Sequence, residues 1–186
     1  EVRSIYLLNR AGNWEEFKDA LKTFLSVSQN VNYADVNGNI GIYCAAGIPI
    51  RRNGDGIAVS PGWTDEYDWQ GLVPFEQLPQ VYNPPEGFVS SANNKAAPDS
   101  YPYPISHWYA LNYRIDRIRE MLTQKQTLSI EDFSAMHGDV QSVMARMFMP
   151  FFLERISRAL MSMLFSFRIM AVSLMMEDST SFRFVE

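Results

Sequence analysis

An amphipathic helix is predicted near the start of the chain. Asn13 suits the N-cap position, and Glu16, three residues later, suits the reciprocal half of a capping box. Apolar residues then recur with helical spacing at Phe17, Ala20, Leu21, Phe24 and Leu25. The short apolar run at residues 5–8 fits a strand or a helix equally well.

A strand pattern replaces the helical one over residues 30–44. Asn37-Gly38 between alternating apolar residues predicts a β-hairpin with a type I′ turn, which needs positive φ at both central residues. Ile40, Ile42 and Cys44 would share one face of the returning strand. Cys44 is most simply a small buried apolar residue there rather than a reactive thiol, because no histidine lies near it in sequence.

Residues 51–87 are predicted to be a long irregular stretch, rich in glycine and proline. Long ordered loops are usually functional or wrapped over a larger body. Six aromatic residues lie in or at the end of it: Trp63, Tyr67, Trp69, Phe75, Tyr82 and Phe88. They either pin the loop onto a core or form a platform for a sugar or aryl group.

A short apolar run follows Gly87 and ends in the paired amides Asn93-Asn94. We predict a short strand for the run. The amides either close that strand in an Asx-turn or deliver hydrogen-bond donors to a fixed place. Such donors are useful where negative charge develops on a substrate oxygen.

Helical periodicity returns from Tyr109. One face carries Leu111, Ile115, Ile118 and Leu122. Ser129 followed by Asp132 predicts a second capped helix, through Ile130, Phe133 and Met136.

Pro150 is predicted to end or kink the next helix, which includes Val140, Met144 and Phe148. Residues 151–176 are apolar and rich in methionine, typical of core packing. Because Arg155, Arg158 and Arg168 interrupt them, a buried helix hairpin is favoured over a membrane anchor.

Composition narrows the classes of function. The chain has 186 residues, 47% of them hydrophobic and 20% charged, which is ordinary for a globular protein. A net charge of −5 argues against nucleic-acid binding, and a single cysteine excludes an internal disulfide. Because the chain begins at Glu1, without a methionine or a signal peptide, we expect a processed product or a fragment.

The sequence carries no Gly-rich phosphate loop, HExxH, paired CxxC or G-x-S-x-G motif. His107 and His137 are isolated and read as surface or core histidines. Asp65, Glu66 and Asp68 either bind a cation or form a solvated turn, the commoner outcome in a loop.

Several segments, in order, resemble the penicillin acylases, a family of N-terminal-nucleophile amide hydrolases. The resemblance is specific over residues 8–125 and looser over the helical residues 126–186, so residues 1–186 are interpreted as one partial β-chain domain. The matching segments are Leu8-Asn9-Arg10-Ala11, Trp14-Glu15-Glu16-Phe17, residues 30–41, Pro49-Ile50-Arg51, Pro61-Gly62-Trp63, residues 67–71, Pro74-Phe75, Leu78-Pro79, Asn83-Pro84, Gly87-Phe88, Ala92-Asn93-Asn94 and residues 113–118.

The resemblance implies an α+β fold, part of a four-layer αββα sandwich with antiparallel sheets. It also implies hydrolysis of an N-acyl amide through an acyl-enzyme on an N-terminal serine, whose own amino group is the base. Glu1 is not such a nucleophile, so none is expected in this chain, and the isolated chain should be inactive.

Two side chains and one backbone group take family roles by this resemblance. Asn93 matches the asparagine that donates to the oxyanion, and Arg114 matches the arginine that supports the site electrostatically, with Arg117 as its competitor. Gly56 matches a carbonyl position of a structural calcium site, whose carboxylates would mostly lie outside this chain. No cofactor is needed for the chemistry.

The resemblance further implies a periplasmic or secreted enzyme. Its partners would be the α chain and the rest of the β chain, or other copies of itself, with a small acyl amide as substrate and neither nucleic acid nor membrane. A different class of function remains open: a catalytically inactive fragment or degenerate homologue that serves as a binding module.

Overall fold

The computed structural model describes the backbone of residues 1–179 and the side chains of residues 1–167. The chain forms two compact units, Glu1–Asp139 and a second that begins at Val140. The helices are α1 Val2–Leu8, α2 Trp14–Leu21, α3 Tyr113–Leu122, α4 Ile130–His137 and α5 Val143–Ser179, and a 3-10 turn spans Phe75–Gln77. The strands are β1 Gln29–Ala34, β2 Ile40–Ala45, β3 Pro49–Arg51, β4 Trp69–Leu72 and β5 Gln80–Tyr82.

The predicted N-cap at Asn13 is confirmed, but Glu16 does not bond to the Asn13 backbone N–H, as the reciprocal half of a capping box would. Asn13 Oδ1 accepts from the Glu16 N–H at 2.9 Å, and Glu16 accepts from the Asn13 side chain at 2.9 Å and from the Gly12 N–H at 2.8 Å. Helix α2 ends at Leu21, before Phe24 and Leu25. The ambiguous run at residues 5–8 belongs to helix α1.

The core of the first unit lies between α2 and one face of a three-stranded antiparallel sheet of order β1-β2-β5. Val31 is opposite Tyr43 and Tyr33 is opposite Gly41 in the β1–β2 register, which turns Tyr33 and Tyr43 toward the helix. Trp14, Phe17 and Leu21 of α2 complete this core, in which Trp14 and Phe17 stack at 5.2 Å between ring centroids. The predicted α+β class with antiparallel sheets is confirmed.

The other face of β2 carries Ile40, Ile42 and Cys44, as predicted. Cys44 is buried, and burial raises the pKa of its thiol, so this cysteine is an unreactive packing residue. Asn30, paired with Cys44, lies on the same face and donates through its side chain to Ser91 Oγ at 2.7 Å.

The hairpin is confirmed, but its predicted turn type is wrong. Gly38 has a φ of 84°, whereas Asn37 is not among the described residues with positive φ, so the turn is not type I′. The Gly38 N–H donates to the Asp35 carbonyl at 3.2 Å, as in a type I turn followed by a left-handed residue. Asp35 favours this form because its carboxylate accepts from the backbone N–H groups of Asn37 and Asn39, each at 2.9 Å.

Residues 51–87 are less irregular than predicted. Strand β4 pairs with β3, and β5 extends the three-stranded sheet through its pairing with β2. Both strands are too short, at four and three residues, for an alternating pattern to reveal them.

Four of the six aromatic residues of this stretch fall into two groups. Phe75 stacks on Tyr43 and Tyr82 stacks on Trp14, each at 4.8 Å between centroids, so these two pin the segment onto the core. Trp63 and Trp69 stay 86% and 63% exposed.

Helix α4 begins at the predicted cap. Ser129 Oγ accepts from the Asp132 N–H at 3.3 Å, while the Asp132 carboxylate accepts from the Ser129 N–H at 2.9 Å. Lys125 lies 2.5 Å from that carboxylate, and this contact and the cap lower the pKa of Asp132.

The second unit differs from its prediction. Helix α5 is continuous from Val143 to Ser179 and contains Pro150, so the proline does not end it and the predicted helix hairpin is wrong. Neither a glycine nor a second proline lies in α5, so Pro150 removes one backbone hydrogen bond without a further stop signal beside it. The prediction that these side chains are buried is wrong. Phe151, Leu153 and Ile156, for example, are 54–63% exposed.

The side chains of Arg168 and Met176 lie outside the described residues. Within the described part of the chain, no helix is long and apolar enough to cross a membrane.

Candidate functional site

The segment before the paired amides is irregular, so the predicted strand over residues 88–92 is wrong. Gly87 and Asn93 have φ values of 76° and 59°, a left-handed conformation that a strand does not accept. Nor do the amides close an Asx-turn. Asn94 Oδ1 accepts from the Ala92 N–H at 3.1 Å, so the side chain reaches backward along the chain.

Asn93 is held through both its backbone and its side chain. Its carbonyl oxygen accepts from the Ala110 N–H at 2.8 Å, and its Oδ1 accepts from Arg114 Nη1 at 3.1 Å. With Oδ1 engaged by a permanent cation, the amide NH2 is the part of this exposed side chain left to donate. Asn93 therefore presents its NH2 group, and not its oxygen, as a hydrogen-bonding group at the surface of the first unit.

The contact to Asn93 distinguishes the two candidate arginines. Arg114 lies in the first turn of α3, where the next residue, Ile115, is buried and anchors the helix. Arg117 instead makes two hydrogen bonds to Asp139, at 2.9 and 2.7 Å, and pairs with Glu120 at 3.1 Å. The bonds to Asp139 raise the pKa of its guanidinium, as in a structural ion pair.

The backbone at Gly56 packs against an arginine side chain. Its φ is 83°, and a Cβ built on it would lie 2.9 Å from the guanidinium of Arg51, so a cation already packs against this backbone. The Asp55 carboxylate accepts from the Ile57 N–H at 3.0 Å. Among the described residues, no three or more His, Cys, Asp or Glu side chains cluster where they could hold a metal ion.

The acidic cluster of residues 65–68 also behaves as a solvated turn. Asp65 pairs with Arg52 at 2.9 Å on the surface. His107 was expected to be isolated, but its Nε2 lies 3.7 Å from Asp55 Oδ2. Asp55 and His107 are 52 positions apart in sequence, which explains why spacing gave no signal for the contact.

Two open clefts flank the Asn93 segment. One of about 340 Å³ lies on the face of β2 opposite the core, with Ile42, Cys44 and Val81 among its apolar lining and Asn94 and Lys95 on its polar side. The other, of about 300 Å³, is lined entirely by residues 95–109. Sequence reasoning missed this second region, whose signal was its run of alternating tyrosines and prolines.

Comparisons with known proteins agree with the fold and with the family resemblance. The penicillin amidase family model matches residues 1–176, and the chain belongs to that family. The penicillin acylase 2 proenzyme of a Pseudomonas species is 33% identical over 124 residues, which cover 67% of this chain. Penicillin G acylase of Escherichia coli is 37% identical over 127 residues, covering 66% of this chain.

Other relatives are named as acyl-homoserine lactone acylases. An acyl-homoserine lactone acylase of Pseudomonas fluorescens is 33% identical over 114 residues, covering 61% of this chain. Among solved structures, a thermostable penicillin G acylase from Alcaligenes faecalis superposes with a TM-score of 0.56 at 32% identity, over 70% of this chain and 24% of that one.

The matched part of the chain spans only 16% of the length of the Pseudomonas proenzyme and 14% of the length of the other two relatives. It therefore corresponds to one piece of those much larger acylases.

Proposed function

We propose that this chain is part of an amide hydrolase that cleaves an N-acyl amide through an acyl-enzyme, with Asn93 as an oxyanion donor. The observation that carries the proposal is the hydrogen bond from Arg114 to Asn93 Oδ1, at 3.1 Å. An oxyanion donor must present N–H groups before the substrate arrives, and this bond selects the amide orientation that does so.

The chemistry assigns separate tasks to the two side chains. A nucleophile that attacks the amide carbonyl turns its oxygen into an oxyanion, and the Asn93 NH2 would donate to that charge. Arg114 would fix the amide and add positive potential without giving up a proton, since a guanidinium stays protonated at any physiological pH.

The nucleophile, in this proposal, is an N-terminal serine outside residues 1–186. The remainder of the acylase would supply it together with the other layers of a four-layer αββα sandwich. The assembled enzyme would be periplasmic or secreted, and the isolated chain would be inactive.

The substrate is proposed to be either an aryl-acetyl amide such as a β-lactam side chain, in antibiotic metabolism, or an acyl-homoserine lactone. The names of the relatives support both. The two substrates need the same oxyanion chemistry and differ in the acyl pocket.

The test is Asn93→Asp in the full-length acylase. Aspartate keeps an oxygen for Arg114 but removes the NH2 donors, so turnover should fall by about 100- to 1,000-fold, the usual cost of losing one oxyanion donor. Asn112→Ala is the matched control, because Asn112 precedes α3 without a side-chain cap bond and should leave turnover unchanged. If Asn93→Asp retained wild-type turnover with an unchanged melting temperature, Asn93 would not be the oxyanion donor.

Calcium remains a proposal with a separate test. The Gly56 carbonyl would supply one ligand, and carboxylates from the remainder of the acylase would supply the others. Chelation of the full-length enzyme should then lower its melting temperature, and added Ca²⁺ should restore it. A melting temperature indifferent to chelation would remove calcium from the proposal.

A second function, that of an inactive binding module, is favoured by the exposed side chains of Trp63 and Trp69. The gene upstream of Glu1 discriminates the two functions. A serine at a self-cleavage junction supports the hydrolase, and its absence supports the binding module.

A further inference from the structure

The residues that follow Asn93 form a closed loop. The loop consists of residues 94–109. Its two ends are joined by a hydrogen bond from the Ala110 N–H to the Asn93 carbonyl, at 2.8 Å. Arg114, four residues after Ala110, donates to Asn93 Oδ1 at the same end of the loop. Any movement of the loop therefore acts on the backbone and on the side chain of Asn93.

Two tyrosines tie the middle of this loop to a single residue, Gln77. The Tyr101 hydroxyl donates to the Gln77 carbonyl at 2.9 Å, and the Tyr103 hydroxyl donates to Gln77 Oε1 at 2.7 Å. Tyr103 and Ile105 also pack against the hydrophobic core. Contacts therefore hold the middle of the loop as well as its two ends.

Gln77 itself stands on a rigid support. It ends the 3-10 turn Phe75–Gln77, whose Phe75 ring stacks on Tyr43 at 4.8 Å between centroids. The fully buried Tyr43 also donates its hydroxyl to the Phe75 carbonyl at 2.5 Å. A continuous set of contacts therefore runs from strand β2 through Gln77 to the loop that begins at Asn93.

The conformation of Asn93 explains why such a support matters. A non-glycine residue in the left-handed region pays a conformational cost and stays there only when surrounding contacts determine it. Ala110, Arg114 and the fastened loop supply those contacts.

We infer that Gln77 is a positioning residue for the reaction: it holds the loop of residues 94–109 through Tyr103, and so keeps the Asn93 amide aimed at the oxyanion. This inference rests on the proposed function of Asn93. It assigns a role to a side chain that touches neither Asn93 nor the reacting atoms.

The experiment measures kcat and KM of the full-length acylase with Gln77→Ala. Loss of one hydrogen bond of ordinary strength should lower kcat by about three- to tenfold, with KM nearly unchanged. Gln77→Glu should restore most of kcat, because a carboxylate accepts the Tyr103 hydroxyl equally well. Gln80→Ala is the matched control, since Gln80 donates to the Glu76 carbonyl in the same turn, at 3.2 Å, rather than to the loop.

A double variant that combines Gln77→Ala with Asn93→Ala tests whether Gln77 acts through Asn93. If Gln77 acts through Asn93, Gln77→Ala should lower kcat no further once Asn93 is alanine. Tyr103→Phe should reproduce the effect of Gln77→Ala and should not add to it. If Gln77→Ala lowers the melting temperature, Tyr103→Phe tests the positioning role in its place.

The outcomes separate the two claims. If Asn93→Ala lowers kcat while Gln77→Ala and Tyr103→Phe behave as wild type, the positioning role is wrong and the proposed function stands. An undiminished effect of Gln77→Ala in the Asn93→Ala background would also overturn the positioning role. If Asn93→Ala leaves kcat unchanged, the proposed function fails and the positioning role fails with it.

Discussion

Asn93 concentrates several requirements in one residue. Its backbone must tolerate a φ of 59°, its carbonyl must accept from Ala110, and its side chain must accept from Arg114 while still donating elsewhere. Asparagine enters the left-handed region more readily than most residues, and its amide carries both an acceptor and donors. Aspartate would lose the donors and glycine the side chain, so few alternatives satisfy all four conditions.

The two arginines of α3 should respond to mutation in opposite ways. Arg114→Ala removes the bond to Asn93 but no buried contact, so turnover of the full-length enzyme should fall about tenfold with little change in stability. Arg117→Ala breaks the paired bonds to Asp139, so it should lower the melting temperature by a few degrees and spare turnover. Kinetics and thermal melting of both variants test this, and exchanged phenotypes would assign the supporting role to Arg117.

Asp35 should make the hairpin sensitive to acid. The hydrogen bond from the Asn39 side chain, followed by those from the Asn39 N–H, Tyr33 and the Asn37 N–H, lowers the pKa of this carboxyl in the folded protein. A lowered folded pKa gives stability that is present above the unfolded pKa of about 3.9 and is lost as pH falls through the folded value.

Asp35→Asn should therefore destabilise the full-length protein at neutral pH, and the deficit should shrink as pH falls below about 4. Urea unfolding of wild type and variant between pH 3 and 7 measures this difference. A deficit that stays constant over the whole range would show that the charge of Asp35 contributes nothing.

At the scale of elements, sequence signals worked where one side chain decides the local structure. The caps at Asn13 and Ser129 are such signals, because the capping oxygen bonds to an N–H only three residues away. The predicted type of the turn at Asn37-Gly38 is wrong because the Asp35 carboxylate, which lies outside the dipeptide, favours the other turn type. Pro150 does not end its helix, as one of its two predicted effects required, because a single helix breaker competes with a long run of residues that contains no glycine and no second proline.

The candidate site was less predictable than the caps. Asn93 and Arg114 could be named only through the family resemblance, since residues 21 positions apart carry no periodic signal for a contact. Gln77 and Tyr103 are 26 positions apart and were missed for the same reason. Strands β4 and β5 depend on pairing with distant strands, which local pattern does not encode.

The fit of α2 against the sheet gives a prediction at this scale. A Cβ on Gly41 of β2 would lie 2.6 Å from the Trp14 ring and 3.1 Å from the Val81 carbonyl. The ring is confined by its stacking on Phe17 and Tyr82. Gly41→Ala should therefore destabilise the protein by about 1–3 kcal/mol, the usual cost of overpacking.

Gly62→Ala is the control for this substitution. Nothing lies within 4 Å of a Cβ at Gly62, and its φ is not in the left-handed range. Chemical denaturation should show a shift only for Gly41→Ala. Equal midpoints for the two variants would mean that Trp14 moves away without cost.

At the scale of the whole molecule, the described residues leave apolar surface exposed. Strand β1 has one paired neighbour in the described sheet, so its other edge is available for pairing. Helix α5 exposes Phe151, Phe152, Leu153, Ile156 and Leu160 by 54–63% each. Apolar patches of this extent are typical of surfaces that bind another protein.

The isolated chain of 186 residues should therefore self-associate or aggregate unless the remainder of the acylase is present. A chain ending at Asp139 keeps the core between α2 and the sheet but lacks α5, so it should associate less at the same concentration. Light scattering coupled to size-exclusion chromatography measures both chains, and co-expression with the remainder of the acylase should convert the full 186 residues into a single defined complex. A monodisperse, cooperatively melting monomer of the isolated chain would contradict this expectation, because it would mean that the exposed faces of α5 need no partner in water.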